Sequence, residues 1–90
     1  MGKAEYMIYV DDLQSYPHKR EKWCHMATDG DRDELHAFAQ KIGLKRHWFQ
    51  GGRLPHYDIT TKMRAVAIYH GAIEVNSIAL YRKCFNDLPS

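Results

Sequence analysis

Apolar residues recur at helical spacing in the middle of the chain and form one continuous stripe. The members of this stripe are Leu35, Phe38, Ala39 and Ile42. Residues three and four positions apart lie on one side of a helix, so the stripe predicts a first helix. Asp31 and Glu34 have the spacing of a capping box at its start. Gly43 is placed to end the helix in a left-handed conformation, with Leu44 packing back on the last turn.

Two further segments predict helices from the same kinds of signal. Thr60 or Thr61 caps the second helix, and Gly71 ends it. Asn76 or Ser77 caps the third helix. The residues expected to face inward are Ala65, Ile68 and Tyr69 in the second helix, and Ile78, Leu80, Tyr81, Cys84 and Phe85 in the third.

Short runs of β-branched and aromatic residues between these helices predict strands. The runs cover residues 6–10, 23–28 and 72–75, with residues 45–50 as a further short candidate. Alternation in the second run places Trp23, His25 and Ala27 on one face. Residues 51–58, with Gly51, Gly52 and a proline, are expected to form a loop.

The order of these elements predicts an α/β fold. Helices that alternate with short apolar strands favour a small, largely parallel sheet of about three to four short strands with about three helices. The length fits a single small α/β domain over residues 1–90, with an ordered core from about residue 6 to about residue 85.

Composition excludes several classes of protein. A hydrophobic fraction of 44% argues against disorder, and a net charge of +2 argues against a purely electrostatic nucleic-acid binder. No apolar run is long enough to span a bilayer and no signal peptide is evident, so we expect a cytoplasmic protein without a membrane partner. Cys24 and Cys84 fit buried free thiols in a reducing compartment, with a disulfide between them as the alternative.

The charge distribution is uneven, and residues 44–58 combine cations with aromatic rings. No Asp or Glu occurs from Leu35 through Tyr57. Cations beside stacking surfaces suit a nucleotide or a single-stranded nucleic acid. The residues expected to bind phosphate or base are Lys45, Arg46, Trp48 and Arg53. The alternative is that the aromatic residues belong to the core and the cations face water.

Four residues with acid–base or metal-ligating side chains are candidates for a site. Asp11 follows a buried strand directly, His25 lies within the second strand, and His56 and Asp58 precede the second helix. We expect these four residues to hold a divalent metal ion, with His25, His56 and Asp58 as the catalytic groups. The alternatives are a turn-forming Asp11, a core His25, and an Asp58 that caps the helix beside an exposed His56.

Several motifs together resemble a known family. They are Tyr9-Val10-Asp11, Trp23-Cys24-His25-Met26, residues 33–39, His56-Tyr57-Asp58 and residues 64–72. The chain resembles the 4031 family of domains of unknown function, small proteins found in bacteria and their phages, over residues 8–81. This resemblance implies a stand-alone, cytoplasmic domain of bacterial or phage origin, and it implies no activity.

A looser likeness links the chain to Rossmann-like metal-dependent nucleases, including the PIN-type fold. The strand that ends in Asp11 and the turn over residues 71–76 are similar to that group. The chain departs from the group in its short length and in lacking a central acidic pair on a helix.

Two hypotheses of function follow. The first is a domain that binds a phosphate of a nucleotide or nucleic acid and, in its enzymatic form, hydrolyses it as a metal-dependent phosphoesterase or nuclease-like protein. The second is a non-enzymatic phage accessory protein that binds a host protein, with Trp48, Phe49 and Arg53 as anchors. Whether the chain forms a homodimer is left open.

Overall fold

The computed structural model describes residues 6–85, which form five strands and three α-helices. The strands are β1 (Ile8–Val10), β2 (Trp23–Thr28), β3 (Phe49–Gln50), β4 (His56–Thr60) and β5 (Ile73–Glu74). The helices are α1 (Arg32–Lys41), α2 (Thr61–Tyr69) and α3 (Ser77–Phe85). The prediction of an α/β fold with three helices is therefore confirmed.

The sheet has the strand order β3-β4-β2-β1-β5 and is mixed rather than largely parallel. Strand β2 runs antiparallel to β1 and to β4, β3 runs antiparallel to β4, and only β5 joins in parallel, beside β1. The prediction of a largely parallel sheet with three to four strands is wrong. It assumed that helices cross over between neighbouring strands, whereas a loop returns β2 directly beside β1.

The helix ends follow the sequence signals closely. Asp31 and Glu34 form the complete capping box of α1. Leu44 N–H donates to the Ala39 carbonyl at 2.9 Å, and Gly43 has a φ of +94°, so the helix ends as predicted. The side chains that cap the other two helices are those of Thr60 and Asn76.

The two faces of the sheet are covered unequally. Helices α1 and α2 cover one face through a core that includes Met26, Tyr57 and Ile59. Helix α3 covers only part of the other face, where Leu80 and Phe85 pack on Tyr9 and Ala27. The half of this second face toward β4 and β3 has no helix on it among residues 6–85.

Several predicted inward residues lie at the surface instead. Tyr69 is 85% exposed and Ala65 is exposed, because α2 buries Ala67 between them. In α3, Ile78 and Tyr81 are exposed, whereas Leu80 and Phe85 are buried. A stripe read from sequence gives the spacing of the apolar residues, but the neighbouring elements decide which stripe is covered.

The prediction for residues 45–58 is also corrected. Residues Arg46–Trp48 form a single 3₁₀ turn, and the strand that follows is limited to β3. The expected loop before α2 ends in β4, where the buried Tyr57 and Ile59 alternate with half-buried His56, Asp58 and Thr60. This period of two is a strand signal that the preceding Gly-Gly and Pro obscured.

No helix among residues 6–85 is long and apolar enough to cross a membrane.

Candidate functional site

Antiparallel pairing of β2 with β4 brings two histidines and an aspartate together on the uncovered half of the sheet. His25 lies directly opposite Asp58, so both side chains project from the same face. His56 precedes Asp58 by two residues in the same strand and therefore shares that face. The expectation that Trp23, His25 and Ala27 alternate onto one face agrees with this register.

The three side chains form a compact group of potential metal ligands, called here the metal cluster for that reason only: His25, His56 and Asp58. One potential ligand atom from each residue lies within 4.8 Å of the other two. His56 Nε2 is 3.3 Å and His25 Nε2 is 3.9 Å from Asp58 Oδ1. The two imidazole rings meet edge to face, with centroids 5.1 Å apart.

Asp11 lies behind His25 and holds it in place. The Asp11 side chain is 1% exposed, and its Oδ2 is 2.8 Å from His25 Nδ1. Its Oδ1 accepts the backbone N–H of His25 at 2.7 Å, and Ser77 Oγ donates to Oδ2 at 3.1 Å. Asp11 was predicted as a metal ligand, but both of its oxygens are engaged by these neighbours. In this arrangement it orients His25, as carboxylates commonly do for metal-binding histidines.

The cluster contains more hydrogen-bond acceptors than hydrogen-bond donors. His25 Nδ1 faces Asp11 Oδ2, and His56 Nδ1 faces the Leu54 carbonyl at 2.7 Å. A neutral imidazole carries one N–H, so these contacts place it on Nδ1 and leave each Nε2 with a lone pair. Both lone pairs then face the Asp58 carboxylate. A proton or a metal ion between them removes the repulsion.

The pKa values of the four groups move in the directions that this surplus of acceptors requires. The hydrogen bond to Asp11 raises the pKa of His25, and burial opposes it. The hydrogen bond to Asp58 raises the pKa of His56, and the same contact lowers the pKa of Asp58. Burial alone would raise the pKa of Asp11, but the hydrogen bonds from His25 and Ser77 outweigh it and the pKa falls. The two carboxylates therefore stabilise a positive charge at the two imidazoles.

The metal cluster forms part of the wall of an open pocket of about 750 Å³. Apolar residues also line this pocket, among them Trp23, Ile59 and Met63. Cationic or titratable groups at its rim are Lys19 and His47. The pocket thus offers a charged group the cluster and an apolar group these apolar side chains.

The residues predicted to bind phosphate or base are dispersed. Trp48 is 43% exposed and lines the pocket of the metal cluster. Arg46 lines a separate, smaller pocket. Lys45 and Arg53 are exposed residues that line neither of these two pockets. The 3₁₀ turn separates Arg46 from Trp48, because it points successive side chains in different directions rather than along one strand face, and Arg53 lies in the loop that follows β3.

Sequence reasoning missed three residues near the cluster. Ser77 was considered only as a helix cap, and nothing in the sequence links it to Asp11, which is 66 positions away. Lys19 lies in the loop before β2 with its Nζ 5.1 Å from the centre of the Trp23 ring. His47 belongs to the basic stretch, and its place in the pocket depends on the 3₁₀ turn.

The model of one protein family matches the chain. Its description is "Protein of unknown function (DUF4031)", and it matches residues 8–86, a range that includes the metal cluster, Asp11 and Ser77. The comparisons with curated proteins and with solved structures gave no match. The looser likeness to metal-dependent nucleases thus stays a prediction.

Proposed function

The chain belongs to the DUF4031 family, and from the geometry of its site we propose that it is a metal-dependent phosphoesterase acting on a nucleotide or nucleic acid. The observation that carries the proposal is the position of the two Nε2 atoms, which face the same carboxylate oxygen at 3.3 and 3.9 Å. The two Nε2 atoms and Asp58 Oδ1 carry no proton when both imidazoles are neutral with their N–H on Nδ1. Three such ligand atoms that converge form a binding site for a cation.

The donor set indicates the type of ion. Two imidazole nitrogens and one carboxylate oxygen suit Zn²⁺ and neighbouring transition metals better than Mg²⁺ or Ca²⁺, which prefer oxygen ligands. Ligand bonds of about 2.1 Å at tetrahedral angles hold donor atoms roughly 3.4 Å apart. The ligand atoms of the metal cluster lie within 4.8 Å of one another, so the widest pair needs to approach by up to about 1.4 Å. Asp58 Oδ1 already lies 3.3 and 3.9 Å from the two Nε2 atoms, so most of this movement falls to the imidazoles of His25 and His56, whose side chains are 36% and 21% exposed.

The site has the parts that phosphoester hydrolysis needs. A metal ion with an open coordination position lowers the pKa of a bound water and stabilises charge on a phosphate oxygen. Three protein ligands would leave one position of a tetrahedral ion for water or substrate, and all three residues line the open pocket. Lys19 and His47 line the same pocket and can contact further phosphate oxygens, while Trp48 offers a face for a base.

The alternative function, binding of a host protein through Trp48, Phe49 and Arg53, receives less support. Phe49 is half-buried, with its ring centroid 4.4 Å from that of His36 and 5.4 Å from that of Tyr57. Only two of the three expected anchors are therefore accessible. Convergence of the histidines on Asp58 favours the site hypothesis over a surface hot spot.

Metal titration of two histidine variants tests the proposal. We expect EDTA-treated protein to bind one equivalent of Zn²⁺ or Mn²⁺ in calorimetry and to gain thermal stability with it. His56→Ala should lose at least about a hundredfold in affinity, because it removes one of three ligands. His70→Ala is the matched control, since His70 is an exposed histidine at the end of α2, outside the cluster.

An activity assay tests the second half of the proposal. The metal-loaded protein is incubated with bis(p-nitrophenyl) phosphate and with short single-stranded DNA and RNA, and we expect hydrolysis that His56→Ala abolishes and His70→Ala retains. Absence of stoichiometric metal binding would refute the metal site. Metal binding without hydrolysis of any of these substrates would refute the enzymatic function and leave nucleotide or host-protein binding.

A further inference from the structure

We propose that a second pocket, on the opposite face of β4 from the metal cluster, binds a phosphate group through Arg46 and His36. This pocket, called here the His36 pocket, has a volume of about 310 Å³. It is lined by His36, Gln40, Leu44, Arg46 and Tyr57. Tyr57 alternates with His56 and Asp58 along β4, so its side chain lies on the α1 side of the sheet. The proposal does not depend on the function proposed above.

His36 is held in a fixed orientation in this pocket. Its Nδ1 lies 2.8 Å from the hydroxyl of Tyr57, whose side chain is 1% exposed. The Phe49 ring packs edge to face against the imidazole. A phenol hydroxyl that donates to Nδ1 leaves the single imidazole proton on Nε2. Among residues 6–85, His36 Nε2 has no hydrogen-bond partner, so in the tautomer in which the Tyr57 hydroxyl donates to Nδ1 it can donate to a ligand.

Arg46 gives the pocket a positive charge and has no ion-pair partner among residues 6–85. No Asp or Glu within residues 6–85 lies within ion-pair distance of its guanidinium. The chain has no acidic residue from Leu35 through Tyr57, and four of the five lining residues fall inside that stretch, with Tyr57 at its end. Burial lowers the pKa of His36, the charge of Arg46 lowers it further, and the nearby Asp33 carboxylate opposes both without outweighing them. His36 is therefore neutral at pH 7, and the net charge of the pocket comes from Arg46.

The donors in the pocket suit the oxygens of a phosphate. Arg46 presents a guanidinium with several N–H groups, His36 presents Nε2–H, and Gln40 carries a side-chain amide that can donate. A phosphate offers three acceptor oxygens at different angles, which matches three donors from separate side chains. The pocket is also larger than a phosphate alone, so we expect its natural ligand to be a phosphate monoester.

Titration with inorganic phosphate tests this inference in EDTA-treated, ¹⁵N-labelled protein. We expect the imidazole ¹⁵N signals of His36 to shift and saturate, while those of His25 and His56 change little. Arg46→Gln should weaken binding by about tenfold or more, because it removes a charge-assisted hydrogen bond. Arg53→Gln is the matched control, since Arg53 is an exposed arginine of the same acid-free stretch outside the pocket.

Two results would overturn the inference. One is equal phosphate affinity in wild type and Arg46→Gln. The other is saturation of the His25 and His56 signals while those of His36 stay unchanged, which would place the phosphate at the metal cluster. Neither result bears on metal binding by that cluster, so failure here is distinct from failure of the proposed function.

Discussion

Asp11→Asn should weaken metal binding while leaving the fold intact. Asparagine has nearly the same shape, and its carbonyl can still accept the backbone N–H of His25, which Oδ1 now accepts at 2.7 Å. Its amide NH₂ would then face His25 Nδ1 in place of Oδ2, now 2.8 Å away. A donor in that position favours the tautomer with the proton on Nε2. The Nε2 lone pair would no longer be available to a metal ion.

The size of the effect follows from the role of Asp11 as the partner that orients His25. Mutation of a partner that orients a metal-binding histidine costs about 10- to 100-fold in affinity, or about 1.4 to 2.7 kcal/mol. The fold loses less, because a charge-assisted hydrogen bond is replaced by a neutral one, at a cost of about 1 kcal/mol. For a domain of this size that lowers Tm by roughly 4–8 °C. Metal affinity and stability should thus change by different amounts.

Calorimetric titration with Zn²⁺ at pH 7.5, together with thermal unfolding of the metal-free protein, measures both quantities. Ser77→Ala is the matched control, because it removes one hydrogen bond to Asp11 but keeps the carboxylate. We expect it to reduce Zn²⁺ affinity by no more than about threefold. Wild-type affinity in Asp11→Asn would refute the argument that Asp11 orients His25.

Two further predictions concern protons and thiols. Metal affinity should fall as pH drops through the folded-state pKa values of His25 and His56, which are both raised above 6.5, because protons then compete with the metal for Nε2. A calorimetric series from pH 8 to pH 5.5 measures this fall. An affinity independent of pH would contradict the prediction. Burial raises the pKa of Cys24 and of Cys84 to about 12. Both thiols should therefore react with a disulfide reagent at pH 8 at least about a hundredfold more slowly than in unfolded protein. Fast labelling of the native protein would contradict the burial of these groups.

The residues of the metal cluster could be named from sequence, but their arrangement could not. His56 and Asp58 lie two positions apart, and an extended backbone directs both to one side, which made their proximity predictable. His25 joins them only because β2 pairs with β4 in the register that sets it opposite Asp58. The role of Asp11 depended equally on pairing, since its carboxylate reaches His25 across neighbouring strands.

The basic stretch was the least predictable part. Its composition suggested one surface that would bind phosphate and bases. The 3₁₀ turn instead directs Arg46 to the His36 pocket, and Trp48 and His47 to the pocket of the metal cluster. A single short turn decided this, and the energy differences that select such turns are small compared with those of packing.

The sequence by itself determined where the helices begin and end. The capping box of Asp31 and Glu34 and the left-handed Gly43 act through bonds within a few residues, so tertiary contacts are not needed to specify them. Strand order, register and the covered face of each helix were decided only by the tertiary structure, because they depend on contacts between distant parts of the chain. The metal cluster lies at a cross-strand pair, and for that reason it is a product of the fold rather than of any local motif.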